Sequence, residues 1–101
     1  MDEILKQFLS KMQKPFALRL KQVILFGSRA RGDAEGESDY DCLIILDRVF
    51  SKDKDTIDTV AGEMLYQHGV VFSVFPVSEK AYRERVYDPF LMNVRKEGVV
   101  L

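Results

Sequence analysis

Two short apolar runs, QVILF at 22–26 and CLIIL at 42–46, stand on either side of a polar, glycine-rich stretch, GSRARGDAEGES, at 27–38. Nothing else in the chain constrains the fold as much. Each run has the length of a strand, and Gly27 closes the first, so both read as buried strands. The second strand is predicted over residues 39–46, DYDCLIIL, polar at its start and aliphatic thereafter. The stretch between them reads as a loop with a helical turn at Ser28–Arg31. Antiparallel pairing of the two strands would bring the end of one beside the start of the other, and the loop is long enough to allow it.

The remaining segments supply helices to cover such a sheet. Ile4, Leu5, Phe8, Leu9 and Met12 recur at helical spacing, which predicts a helix over residues 2–13 that Pro15 ends or kinks. Ile57, Val60, Ala61, Met64 and Leu65 predict a second over 53–68, stopped by Gly69. Residues 70–75 form a third strand. Ser78 is placed to cap the next helical sequence, with Glu79 in its first turn. A last helix is expected from Pro89 to Lys96, and the terminal VVL adds a short edge strand. The prediction is one domain over residues 1–101, α/β or α+β, with a small mixed sheet and flanking helices.

Composition narrows the function. The chain has 101 residues, 47% of them hydrophobic and 31% charged, the balance of a soluble globular domain. Its net charge is −1, so no basic face points to direct nucleic-acid binding. Cys42 is the only cysteine, which excludes an internal disulfide and favours a reducing, cytoplasmic setting. No apolar run approaches the ~18–20 residues needed to span a bilayer, and the start, MDEILKQFLSKMQK, has no signal-like apolar core.

The chemistry gathers where the two strands meet. Asp39 and Asp41 are two apart on a strand, so both side chains leave one face, with Cα atoms about 6–7 Å apart. Carboxylates that close repel unless a cation lies between them. Mg²⁺ suits such a pair, because it takes one or two carboxylates and completes its shell with water and phosphate oxygens. Gly27 permits close approach of the backbone to a ligand. The following helical turn can present N–H groups to phosphate, and the Ser28 hydroxyl adds a donor. Leu43 and Ile45 continue the face of the acids as core, whereas Cys42 lies on the other face as a buried small hydrophobe.

Gly27-Ser28, ten intervening residues and then Asp39-x-Asp41 resemble the minimal nucleotidyltransferases of the DNA polymerase β superfamily. The flanks LFGSRARGDA and SDYDCLIIL are similar too, and a weaker likeness continues through VVFSVFPVSEKAY and DPFLMNVRKEGVVL. The resemblance implies a polymerase β-like fold, with ATP held by Gly27, Ser28 and the loop, and Mg²⁺ on Asp39 and Asp41. Arg29 and Arg31 become candidates to neutralise the triphosphate, with one of them facing it. It further implies transfer of AMP to a hydroxyl of a partner protein, as in antitoxins paired with HEPN-type ribonucleases.

One position departs from the family pattern. Members with full catalytic sets carry a third acid on the next strand, where parallel packing of 70–75 beside 39–46 would put Ser73. Serine is neither a carboxylate base nor a strong metal ligand, so a second reading is a nucleotide-binding module that neutralises its partner by contact. A small-molecule nucleotidyltransferase of the antibiotic-resistance kind is disfavoured, because the usual additional domain is missing. His68 is expected to be structural, at a helix C-terminus. SKDKDTID is expected to be a solvated helix start, and Tyr82 and Tyr87 are expected to pack in or on helical sequence.

Overall fold

The structure is a computed structural model that describes residues 1–32 and 39–101. The second half of the expected loop, residues 33–38, lies outside the described residues.

Helix α1 covers Glu3–Phe16, and the Asp2 carboxylate caps it by accepting the Leu5 N–H at 2.7 Å. Pro15 lies inside the helix and does not end it, contrary to one of the two outcomes expected of it. In the last turn a proline forfeits one backbone hydrogen bond, and the buried Phe16 side chain holds that turn against the core. A 3₁₀ turn over Ala17–Arg19 leads into β1, Leu20–Phe26, and a single helical turn, α2, follows at Ser28–Arg31. Strand β2 is Tyr40–Leu46, and helix α3, Ser51–His68, ends at Gly69 in the left-handed conformation with φ 64°. Strand β3 is Phe72–Ser78, followed by helices α4, Glu79–Glu84, and α5, Pro89–Glu97, and a short β4, Val99–Val100.

The sheet order is β3-β2-β1-β4. The expected antiparallel pairing of β1 with β2 is present, with Phe26 opposite Asp41. β2 and β3 run parallel with Asp41 beside Ser73, and β4 pairs antiparallel with β1. β3 starts two residues later than expected, ends three later and runs through Pro76. As an edge strand it has one unpaired side, where a missing N–H does not interrupt the ladder. Ser78 then caps α4, accepting the Ala81 N–H at 3.0 Å.

Alternation along the strands separates two cores. Val23, Leu25, Cys42, Ile44 and Leu46 face α1 and α3, while Ile24, Phe26, Leu43 and Ile45 face Leu91 and Val94 of α5. Each fully buried large apolar side chain contributes roughly 1.5–3 kcal/mol, so both layers hold the sheet in place. Among the described residues no helix is long and apolar enough to cross a membrane.

The start of α3 is not simply a solvated charge run. Asp53 is buried at 2% exposure, accepts the Phe50 N–H at 2.8 Å and pairs with the Arg19 guanidinium at 2.7 Å. The Arg19 hydrogen bond holds the Asp53 carboxyl below its usual range, against the opposing effect of desolvation. Arg19→Ala would strand this carboxylate in the interior. We expect its melting midpoint, followed by circular dichroism, to fall well below that of Lys11→Ala, which breaks the more exposed Lys11–Glu63 pair. A depressed carboxyl pKa contributes stability that is present above the unfolded value of about 3.9 and is lost as pH falls through the folded value. The gap between wild type and Arg19→Ala should therefore close in acid. An equal midpoint for the two variants at neutral pH would refute this role for Asp53.

Candidate active site

The end of β1 and the start of β2 meet as the strand pairing requires. Gly27 breaks β1 with φ 77° and ψ −160°, and its carbonyl accepts the N–H groups of Ala30 and Arg31, both at 3.1 Å. Those two bonds close the turn of α2 on Gly27. A Cβ placed on Gly27 would sit 2.5 Å from the Asp41 Oδ2 atom. The glycine is therefore what lets the turn lie against the carboxylate.

Asp41 shares its sheet face with Leu43 and Ile45, whose side chains are buried beneath α5. Asp39, just before β2, is exposed. Burial, reinforced by the charges of Asp39 and Glu97, pushes the Asp41 carboxyl above its usual range, and Arg31 opposes this in part. The site concentrates negative charge that a cation would relieve. Among the described residues no group of three His, Cys, Asp or Glu side chains could hold a metal ion. Two carboxylates with further oxygens from water and phosphate match the way Mg²⁺ is bound, so the donor set fits that ion.

The two arginines separate. The Arg29 guanidinium lies 3.9 Å from the centre of the Tyr40 ring, which stacks on Phe72, itself stacked on Phe8. Tyr40 belongs to the α1 face of the sheet. Arg31 instead pairs with Glu97 at 2.9 Å and acts electrostatically on Asp41. The geometry thus brings Gly27, Arg31, Asp39 and Asp41 together, with Ser28 opening the turn and Ser73 beside Asp41 on β3; it directs Arg29 toward Tyr40.

Glu97 is the neighbour that sequence reasoning missed. Its carboxylate accepts the Gly27 N–H at 2.9 Å, 70 positions away in the chain. Only the pairing of β4 with β1 puts the end of α5 there, and the short VVL run was the one available signal. His68 accepts a structural role, its Nε2 lying 2.7 Å from Gln7 Oε1. Cys42 is fully buried, and burial pushes its thiol up to about 12, so it stays protonated and inert. Tyr82 packs against the α5 core, and Tyr87, between α4 and α5, is exposed.

The profile of the nucleotidyltransferase domain family matches residues 3–96. The chain belongs to that family. A Methanocaldococcus jannaschii protein with the provisional name of a protein adenylyltransferase is 35% identical over 100 residues, spanning 99% of this chain and 96% of its own. Among solved structures, a toxin–antitoxin crystallised with AMP-PNP superposes with a TM-score of 0.63 at 15% identity, over 94% of this chain and 70% of that one. The Shewanella oneidensis complex of a tri-AMPylated HEPN toxin with an MNT antitoxin gives 0.54 at 12% identity, over 96% and 70%. At these identities the structural likeness is one of fold. This nucleotidyltransferase has the mixed sheet and flanking helices expected from the alternation of helix and strand segments along the chain.

Proposed function

We propose that this nucleotidyltransferase transfers AMP from ATP to a hydroxyl of a partner protein, and that the partner is a HEPN-type toxin for which the chain is the antitoxin. One observation carries the reading: the Asp41 carboxylate lies against Gly27, at the open mouth where Asp39 is exposed. The M. jannaschii relative supports a protein acceptor by its name, and the toxin–antitoxin structures share the fold.

In this mechanism Asp39 and Asp41 hold Mg²⁺, which when bound neutralises charge on the triphosphate. Gly27 lets the backbone come close to the triphosphate, Ser28 offers hydrogen bonds to phosphate oxygens through its N–H and hydroxyl, and Arg31 supplies a positive charge beside them. Arg29 contributes by bracing the turn on Tyr40. The acceptor oxygen bonds to the α-phosphorus, the bond from that phosphorus to its bridging oxygen breaks, and pyrophosphate leaves. The acceptor proton passes to solvent, because Ser73 offers no carboxylate at the position beside Asp41. That same serine favours a second reading, in which the chain binds nucleotide but neutralises its partner by contact.

Incubation with ATP, Mg²⁺ and a HEPN-type protein should yield AMP adducts on a hydroxyl side chain of that protein by mass spectrometry. Free sugars and aminoglycosides should remain unmodified. A stable complex without adducts, whatever the nucleoside triphosphate, would favour the contact reading. Efficient modification of a small-molecule hydroxyl by the chain alone would overturn both.

A further inference from the structure

Outside the residues expected from the motif, one side chain is built into the site from the far end of the chain. Glu97 ends α5, and its carboxylate is bound on both oxygens. Oε1 accepts the Gly27 N–H at 2.9 Å and a longer contact from Asn93 Nδ2 at 3.3 Å, and Oε2 takes the Arg31 guanidinium at 2.9 Å. The Glu97 side chain is only 14% exposed. Its backbone is equally constrained. The next residue, Gly98, donates its N–H to the Val94 carbonyl at 2.7 Å. A Cβ on Gly98 would sit 2.4 Å from that oxygen and 2.5 Å from a methyl of Ile24. This close passage takes the chain directly into β4, whose Val99 and Val100 pair with Leu25 and Ile24 of β1.

We infer that Glu97 is a positioning residue: its carboxylate clamps the Gly27 amide and the Arg31 guanidinium, setting the turn that faces nucleotide from the C-terminal helix. The two contacts act on the two ends of α2. The amide bond fixes the glycine whose φ of 77° starts the turn, and the ion pair fixes the residue that finishes it. A turn of four residues has little intrinsic stability, so its geometry depends on such outside anchors. Arg29 on Tyr40 anchors its middle from the other face of the sheet. Bound on both oxygens, Glu97 is held as a support for the turn, and its depressed carboxyl, caused first by Arg31 and then by the Gly27 N–H, keeps it charged in that role.

The role in nucleotide binding rests on the function proposed above, and the clamp itself does not. Amide hydrogen exchange by NMR tests the clamp on nucleotide-free protein. In Glu97→Ala, exchange at Gly27 should quicken by roughly tenfold, the effect of about 1.4 kcal/mol in local opening, while Leu43 to Ile45 keep wild-type rates. Glu97→Gln retains an oxygen acceptor for the amide, so it should restore most of the protection at Gly27 while losing the ion pair with Arg31. Calorimetry with Mg·ATP should show affinity reduced by ~10-fold in Glu97→Ala, the usual cost of losing a support behind a site, with Glu97→Gln in between. Unchanged exchange at Gly27 in Glu97→Ala would overturn the clamp. Faster exchange with wild-type ATP affinity would overturn its role in positioning. Tighter ATP binding would also overturn it, since Glu97 would then be occupying the place of the ligand. A wild type that binds no ATP would sink the proposed function and leave the clamp to be decided by the exchange rates.

Discussion

Asp41→Asn is expected to abolish nucleotide transfer and, in the same protein without nucleotide, to raise the melting midpoint. The loss follows from charge. Asparagine keeps the shape of the side chain but removes one of the two carboxylates that would hold a hard cation, and metal-ion stabilisation of phosphoryl transfer is worth several kcal/mol, or at least ~10²-fold in rate. Replacing both Asp39 and Asp41 by Asn should also weaken Mg²⁺-dependent ATP binding at least ~10-fold by calorimetry, about 1.4 kcal/mol. The gain in stability has the same origin. Burial, then the charges of Asp39 and Glu97, raise the Asp41 carboxyl above its unfolded value. A raised carboxyl contributes stability below the unfolded value, and that contribution is lost as pH rises through the folded one. At neutral pH the ionised side chain therefore weakens the fold, and the neutral amide does not. Relief of one such strained charge commonly returns about 1 kcal/mol, or a midpoint ~4–8 °C higher in a domain of this size. Near pH 3, where Asp41 is protonated folded and unfolded, the difference should vanish. A midpoint at or below wild type at neutral pH would mean that Asp41 is not under the repulsion described. Wild-type transfer by Asp41→Asn would remove it from the catalytic site.

Gly27→Ala should damage the site at two points, the turn and the carboxylate beside it. The backbone at φ 77° and ψ −160° lies in a region reached almost only by glycine. Holding another residue there costs of order 1–3 kcal/mol. The added Cβ would also stand 2.5 Å from Asp41 Oδ2, and the side chain that yields is the carboxylate itself. We expect a lower melting midpoint and at least a ~10-fold loss of Mg·ATP affinity, because the variant moves a proposed metal ligand as well as the turn. The two causes can be separated. In an Asp41→Ala background the clash is gone and the backbone cost remains, so Gly27→Ala should destabilise less there than in wild type. An equal destabilisation in both backgrounds would show that backbone strain is the whole effect. Unaltered stability and nucleotide binding in the single variant would refute the tight fit of turn and carboxylate.

Where physical rules act over a few residues, the chain could be read directly. The apolar runs of β1 and β2 alternate between two cores because strand side chains alternate in direction, and this puts Asp41 and Cys42 on opposite faces. Gly69 stops α3 and Ser78 starts α4, since a left-handed glycine and a hydroxyl cap act within one turn. The pairing of β1 with β2 was also legible, because a single connection between two adjacent strands leaves few alternatives. From that pairing came the meeting of Gly27 with Asp41, and from the parallel crossover came Ser73 beside Asp41.

Other features depend on partners far away in the chain. Asp53 looks like one charge among several in SKDKDTID, and only the approach of Arg19, 34 positions earlier, makes it a buried ion pair. Pro76 looks like a strand end, and only its place on the outermost strand of the sheet permits the strand to continue. Arg29 and Arg31 are equivalent on paper. Tyr40 and Glu97 distinguish them, one from each side of the sheet. Local sequence thus specifies the strands, the turns and the carboxylates they carry, because φ/ψ preferences and side-chain period act at short range. Which charges are buried, which arginine faces the acids and which carboxylate holds the Gly27 amide are properties of the packed sheet, because each requires two segments that only folding brings within hydrogen-bond reach.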